Sequence, residues 1–259
     1  MHHREHEGRI LLTGASGALG RALARLHAKP GAGLSLWGRD APRLEATASE
    51  VRAAGAQVST RSLDVTDGQR AVDALLAEDE AARFAQAFLV AGLGDIRAPG
   101  ALVEDPALVL RLGQVNFTAP AAMAAALAGR MAERGHGRIV LIGSAAGHHA
   151  LPFAAAYSGS KAGLARFAEA LRVAVKPHGV TVTLAAPGFI DTGTRRAVPV
   201  APSLLLSSDE AARRIVRAAR AGRPHYVTPW PFAVLRVVDP MLPRAIRDRV
   251  LAALAPPDA

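Results

Sequence analysis

The sequence predicts a single α/β domain built on a doubly wound, mostly parallel sheet with helices on both faces. Three observations predict it. Short β-prone apolar runs alternate with helical stretches along most of the chain, with no repeat period, as strands joined by crossover helices require. The first run ends in a glycine-rich turn, TGASGALG, that leads straight into a helical pattern. The residues best suited to meet a ligand (Gly14, Arg39, Asp64, Gly92, Ser144 and Pro187) all fall just beyond predicted strand ends, where such sheets bind their ligands. A chain of 259 residues that is 50% apolar is sufficient for one sizeable core.

The elements follow in order. Gly8 to Thr13 (GRILLT) reads as a buried strand, and Leu19, Leu23 and Leu26 give the next helix its apolar face. A glycine turn between them aims backbone N–H groups and a helix N-terminus at a pyrophosphate. Leu34 to Trp37 is the second strand, and Asp40 reads as the cap of a helix from about Pro42 to Ala54. Val58 to Leu63 is the third strand and ends in Asp64-Val65, where Asp64 reads as a cap for the helix beginning near Asp67. Ala85 to Val90 is the fourth strand and runs out into VAGLG. A long helical stretch follows Asp105, with an irregularity expected at Gly113 or Asn116, the latter either a polar group with a purpose or a cap before Pro120. Arg138 to Ile142 is a strand, and a helix runs from near Phe153 to near Pro177. Val180 to Ala186 is strongly β-prone and leads into PGFIDT; a helix over Asp209 to Ala221 and a last strand over Pro224 to Thr228 complete the pattern.

Chemistry concentrates in one of these helices. Tyr157 and Lys161 stand at i and i+4, on one face. A cation beside a phenol favours the phenolate, so the tyrosine pKa is expected to fall toward the working pH, as a general acid/base requires. Ser144, at a strand end, would hydrogen-bond the same substrate oxygen. The pairing is not what composition would produce: there are two tyrosines, and Lys29, Lys161 and Lys176 are the whole lysine content of an arginine-rich chain. Asn116 is likewise its single asparagine.

With Ser144, Tyr157 and Lys161, Asn116 upstream and TGASGALG near the start, the chain resembles the short-chain dehydrogenase/reductase family from about Gly8 to Tyr226. The resemblance implies a Rossmann-type fold and an NAD(P)-dependent oxidoreductase that interconverts an alcohol and a carbonyl. It makes Tyr157 the general acid/base, Ser144 the group orienting the oxygen, and Lys161 and Asn116 parts of a proton relay. It places the cofactor on Gly14, Ser16, Gly17, Leu19 and Gly20, on Asp64 and Val65 for the adenine, and on Ala91 and Gly92 for a ribose. Tyr157, Lys161, Pro187, Gly188, Ile190 and Thr192 complete that site. An acidic residue at the end of the second strand would favour NAD and a cation NADP, so Arg39 points to NADP, with NAD as the alternative. The chain departs from the family in two places. Ala18 occupies the middle glycine position of the turn, and Leu89 and Val90 replace an asparagine pair. These departures keep two rivals in view: a non-catalytic nucleotide-binding or scaffold protein on the same fold, and an NAD-retaining epimerase or dehydratase.

Composition narrows the remainder. The chain has no cysteine, which excludes disulfides and thiolate zinc sites. No metal site is expected, His2, His3 and His6 belonging to a polar segment over 1–7 expected to be disordered. No signal-peptide core is visible, so the expected location is cytoplasmic. The net charge of +9 is spread over scattered arginines, which argues against a nucleic-acid surface. Residues 193–208 form a proline-broken, apolar expected lid that suits an apolar substrate body, with Arg195 and Arg196 available to an anion. His148, His149 and Phe153 are expected on the opposite wall. The stretch 229–259 is a basic amphipathic tail, expected to pack on its own domain or a partner subunit, with a membrane surface as the other option. A homodimer or homotetramer is the expected assembly.

Overall fold

The computed structural model describes residues 8–94, 96–191 and 201–253. Seven strands form one parallel sheet: β1 (Arg9–Thr13), β2 (Gly33–Gly38), β3 (Gln57–Ser62), β4 (Phe84–Leu89), β5 (Gly137–Ile142), β6 (Val180–Pro187) and β9 (His225–Thr228). Their order is β3-β2-β1-β4-β5-β6-β9. The chain therefore reverses direction across the sheet between β1 and β4, which creates the crevice where such sheets bind ligands. A second, two-stranded parallel sheet pairs β7 (Phe189–Asp191) with β8 (Leu205–Ser207). This places Pro187-Gly188 at the junction of the two sheets.

Alternation along each strand builds two cores. On one face Leu11, Trp37, Phe84, Leu89, Ile139 and Leu141 pack with α3 (Gly68–Ala81), α5 (Ala119–Glu133) and α6 (Ala155–Val175). On the other, Leu12, Leu34, Leu36, Phe88 and Val140 pack with α1 (Ala18–His27), α2 (Ala41–Ala53) and α7 (Ser208–Arg220). Adjacent Leu11 and Leu12 are both fully buried, as in a sheet covered on both sides.

Helix starts follow their caps. Asp40 accepts from Arg43 N–H at 3.0 Å, as expected. Asp64 is not the cap of α3, because Asp67 accepts from Arg70 N–H at 3.1 Å; Asp64 instead accepts from Thr66 N–H at 2.9 Å. Asp105 caps α4 (Pro106–Gly113). The expected irregularity is a π-helical turn over Gln114–Thr118 that joins α4 to α5 without a break. Pro120 sits in the first turn of α5, where its missing N–H costs little, so Asn116 is not a helix-ending cap. The tail forms α8 (Trp230–Val238) and α9 (Arg244–Ala253).

Candidate active site

The glycine turn closes tightly. Gly14 has φ +69°, and Gly17 N–H donates to its carbonyl at 3.0 Å. A Cβ on Gly20 would lie 2.1 Å from Gly14 O, so the first turn of α1 sits directly on the loop. Ala15 N–H donates to Trp37 O at 2.9 Å, which fixes the turn to the end of β2. Ser16 packs there against Gly38, whose Cβ would fall 2.7 Å from the Ser16 hydroxyl. Gly17 caps α1 without a side-chain hydrogen bond, and the first turn carries no acidic residue. The orphan N–H groups of that helix end are thus left for an anion, with Ala18 in the middle position. Leu19 is half-buried against the core, so it holds the loop from below.

Arg39, at the end of β2, is exposed and lies 3.7 Å from Asp64, at the end of β3. The two expected cofactor residues therefore form a pair. The Thr66 N–H holds the Asp64 carboxyl below the usual carboxylate range, with Arg39 contributing further. Val65 is half-buried against the core behind them.

At the end of β4 the missing asparagines are replaced by two groups from elsewhere. Thr13 Oγ1 accepts from Val90 N–H at 2.9 Å and from Ala91 N–H at 3.2 Å. Asn116 then holds the next residues. Its Oδ1 accepts from Leu93 N–H at 2.8 Å, and its Nδ2 donates to Leu93 O at 2.9 Å and to Ser160 Oγ at 3.3 Å. A Cβ on Gly92 would stand 3.2 Å from Asn116 Oδ1 and 3.4 Å from Lys161 Nζ, so the strand exit, the π-turn and α6 converge there.

Ser144, just past β5, accepts from Ala146 N–H at 3.2 Å, and its hydroxyl lies near enough to the Tyr157 phenol to favour the phenolate. Lys161 is 5% exposed and its Nζ donates to Ile142 O at 2.9 Å. The expectation that Lys161 lowers the tyrosine pKa does not hold for the chain itself. Burial raises the Tyr157 phenol above its ordinary value, with the Ser144 hydroxyl opposing. Burial also lowers Lys161 to about 8. Both groups are penalised for carrying charge in the same dry wall, and the ammonium is turned to a backbone carbonyl.

Gly188 N–H donates to Thr228 O at 2.7 Å, and Ile190 lies in β7 paired with Leu206. Pro187 ends β6 opposite Thr228. Thr192, Arg195 and Arg196 lie outside the described residues, as does the first half of the expected lid (193–200); its second half forms a short 3-10 turn over Pro202–Leu204 and the strand β8, and reaches the start of α7. His148 and His149 turn to β9 and the tail: the His148 ring lies tilted against His225 of β9 with centroids 5.0 Å apart, and His149 Nδ1 lies 3.2 Å from Asp239. Phe153 is buried beside them in sequence, and its carbonyl accepts from Arg97 N–H at 3.3 Å. Among the described residues no cluster of His, Asp and Glu could hold a metal ion.

Two supporting residues were not visible in the sequence. Thr13 acts on a strand 77 positions away. Glu104, buried, accepts from Ala156 N–H at 2.8 Å and so caps the helix that carries Tyr157, although α6 has no capping side chain of its own. No local pattern marks either contact, because each spans a crossover.

The strand order, the glycine turn and the cluster beyond β5 define a Rossmann-type α/β protein. The chain belongs to the short chain dehydrogenase family, whose pattern matches residues 9–201. It is 33% identical over 239 residues to an uncharacterized oxidoreductase of Myxococcus xanthus, covering 92% of this chain and 94% of that one. A short-chain dehydrogenase from Sphingobium yanoikuyae solved in complex with NADPH superposes with a TM-score of 0.77 at 25% identity, covering 97% and 98% of the two chains. A short chain dehydrogenase from Mycobacterium paratuberculosis bound to NAD shares the fold, with a TM-score of 0.75 at 21% identity over 85% and 95% of the chains. The protein is accordingly a dehydrogenase/reductase of CH–OH and carbonyl groups that uses a nicotinamide cofactor.

Proposed function

We propose that the protein is an NADP(H)-preferring reductase/dehydrogenase of an alcohol/carbonyl pair with an apolar body, in which Tyr157 moves the proton. The observation that carries this reading is the closeness of the Ser144 hydroxyl to the Tyr157 phenol, one helical turn from Lys161, whose Nζ is fixed 2.9 Å from Ile142 O. When bound, the dinucleotide supplies or accepts the hydride. The glycine cradle supports its fit: Gly14, Gly20 and Gly92 stand where a Cβ would collide or crowd, and the α1 N-terminus is free of side-chain caps. Arg39 would pair with a 2′-phosphate, exchanging Asp64 for a group of higher charge. Ser144 would orient and polarise the substrate oxygen, and Tyr157 would donate its proton to that oxygen in reduction or take it back in oxidation. A phenol kept neutral by burial is the form that reduction needs. Lys161, one turn along α6 from Tyr157, would serve the proton relay, and Asn116 is a positioning residue that fixes the β4 exit against it. We take the protein to act in the cytoplasm, as a homodimer or homotetramer; the cysteine-free composition is compatible with a reducing compartment.

The test is titration of the purified protein with NADPH and NADH, by energy transfer from tryptophan, in wild type and Arg39→Ala. Tighter binding of NADPH, with the preference lost in the variant, supports the reading. A panel of apolar ketones and aldehydes then follows, with Tyr157→Phe expected to bind NADPH but turn over nothing. Binding of neither nucleotide at millimolar concentration would favour a scaffold on the same fold.

A further inference from the structure

The tail helix α8 has two apolar faces, and the fold uses one. Phe232 packs over Gly188, where a Cβ would come within 2.3 Å of its ring, and edge-on to Phe189 at 5.9 Å between centroids. The outward face carries Trp230, Val234, Val237 and Val238 at helical spacing, followed by Met241, and these are 74%, 49%, 60%, 41% and 77% exposed. Ile246 and Val250 of α9 are also exposed. Arg236, Arg244, Arg247 and Arg249 share this stretch, against Asp239 and Asp248 alone between residues 229 and 253. Asp239 is already engaged by His149 at 3.2 Å.

A second observation lies at the root of α8, where a cavity of about 380 Å³ opens beside the edge strand β9. Arg214, Arg223, Arg236, His225, Tyr226 and Trp230 line it. Arg214 is paired with Glu210 at 2.6 Å. Arg223 lies over the Tyr226 ring at 5.5 Å and Arg236 donates to His225 Nδ1 at 3.0 Å, and neither has a carboxylate partner among the described residues. Trp230 belongs both to this cavity and to the exposed stripe.

A cationic pocket beside an exposed apolar stripe fits an anionic bilayer surface, where apolar side chains enter the headgroup boundary and arginines meet phosphodiesters. A second copy of the same face would bring these arginines against one another. We propose that α8 and α9 dock the protein on an anionic membrane surface, with the cavity at Arg223 and Arg236 seating a lipid phosphate. Among the described residues no helix is long and apolar enough to cross a membrane, and the contact is interfacial. It stands independently of the hydride chemistry and would let an apolar substrate reach the enzyme from a lipid phase.

The experiment is flotation of the full chain with vesicles of phosphatidylcholine alone or with roughly one third phosphatidylglycerol, together with Trp230 emission. Capture by the anionic vesicles, weakened by salt, is expected, with a blue shift from Trp230 because Trp37 is only 1% exposed. Arg223→Gln and Arg236→Gln should each weaken capture roughly fivefold, and Trp230→Ser with Val237→Ser should remove it, all with NADPH affinity retained. Equal capture by both vesicle types, or by neither, overturns the proposal. So does protection against thermal unfolding by inorganic phosphate without vesicle capture, which would mark a soluble-anion site. A Trp230→Ser, Val237→Ser variant that turns a dimer into a monomer while vesicle capture persists overturns it as well, since the stripe would then be a subunit interface.

Discussion

Asn116 and Leu93 bond reciprocally: the side-chain amide of one accepts from the backbone N–H of the other at 2.8 Å and donates to its carbonyl at 2.9 Å. One residue in a π-turn thereby imitates a neighbouring strand for the chain leaving β4. Asn116 is 0% exposed, and Asn116→Ala leaves two half-buried backbone groups of Leu93 unpaired, which should cost roughly 1–3 kcal/mol. Denaturant midpoints measure that loss. Because the same amide helps to place Gly92 near Lys161, NADPH affinity should fall together with turnover rather than turnover alone.

Thr13 supplies the other half of this support. Replacing it with valine keeps the volume and removes the acceptor for Val90 and Ala91, and a loss of about 2–4 kcal/mol is expected. Thr13→Ser should recover most of it. Destabilisation by Ser but not by Val would show that the methyl group, not the hydroxyl, matters.

Lys161 gives a pH dependence of definite sign. Its folded pKa of about 8 lies below the ordinary 10.5, so the native state binds fewer protons than the unfolded state between these values. The burial penalty is fully present below pH 8 and is relieved as pH rises toward 10.5. Relative to Lys161→Met, wild type should gain about 2 kcal/mol of stability between pH 7.5 and 9.5, read from urea midpoints of both proteins. Identical pH slopes would mean that Lys161 is solvated or paired in solution.

His148 and His225 act in the opposite pH range. Burial first, and then neighbouring positive groups (Arg236 for both, with His225 and His149 facing His148), lower each imidazole from 6.5 to about 4. The native state resists their protonation, so stability present above pH 6.5 is lost as pH falls toward 4. Both rings are partly solvated, and direction rather than size is the expectation. The melting temperature should drop across this interval, with proteolysis beginning in α8. His148→Gln should flatten the drop.

Tyr157→Phe should lower turnover by roughly 10²–10⁴-fold while leaving NADPH binding within about twofold, since the phenol is asked only for a proton. Loss of nucleotide binding in parallel would show that Tyr157 also holds the cofactor.

The sequence by itself determined the strands of the seven-stranded sheet, most helix starts and the candidate chemistry, because these depend on periodicity and short spacings; the three-residue strands β7 and β8 are too short to show a period and were not legible. Leu11 and Leu12 on opposite faces, Asp40 as a cap, and Tyr157 with Lys161 on one helix face are all local facts. The irregularity near Asn116 was also legible, as an isolated polar residue in an Ala- and Leu-rich helix. Only the tertiary structure decided what those residues touch. Strand order 3-2-1-4 puts β4 beside β1, and that adjacency alone gives Thr13 to the backbone of Val90 and Ala91. Crossovers likewise bring Glu104 to the start of α6 and His148 to His225. The reversed expectation for Tyr157 has the same origin. Spacing tells that a cation and a phenol share a face, but their pKa values follow from how much water the surrounding walls exclude, and those walls come from parts of the chain far away in sequence.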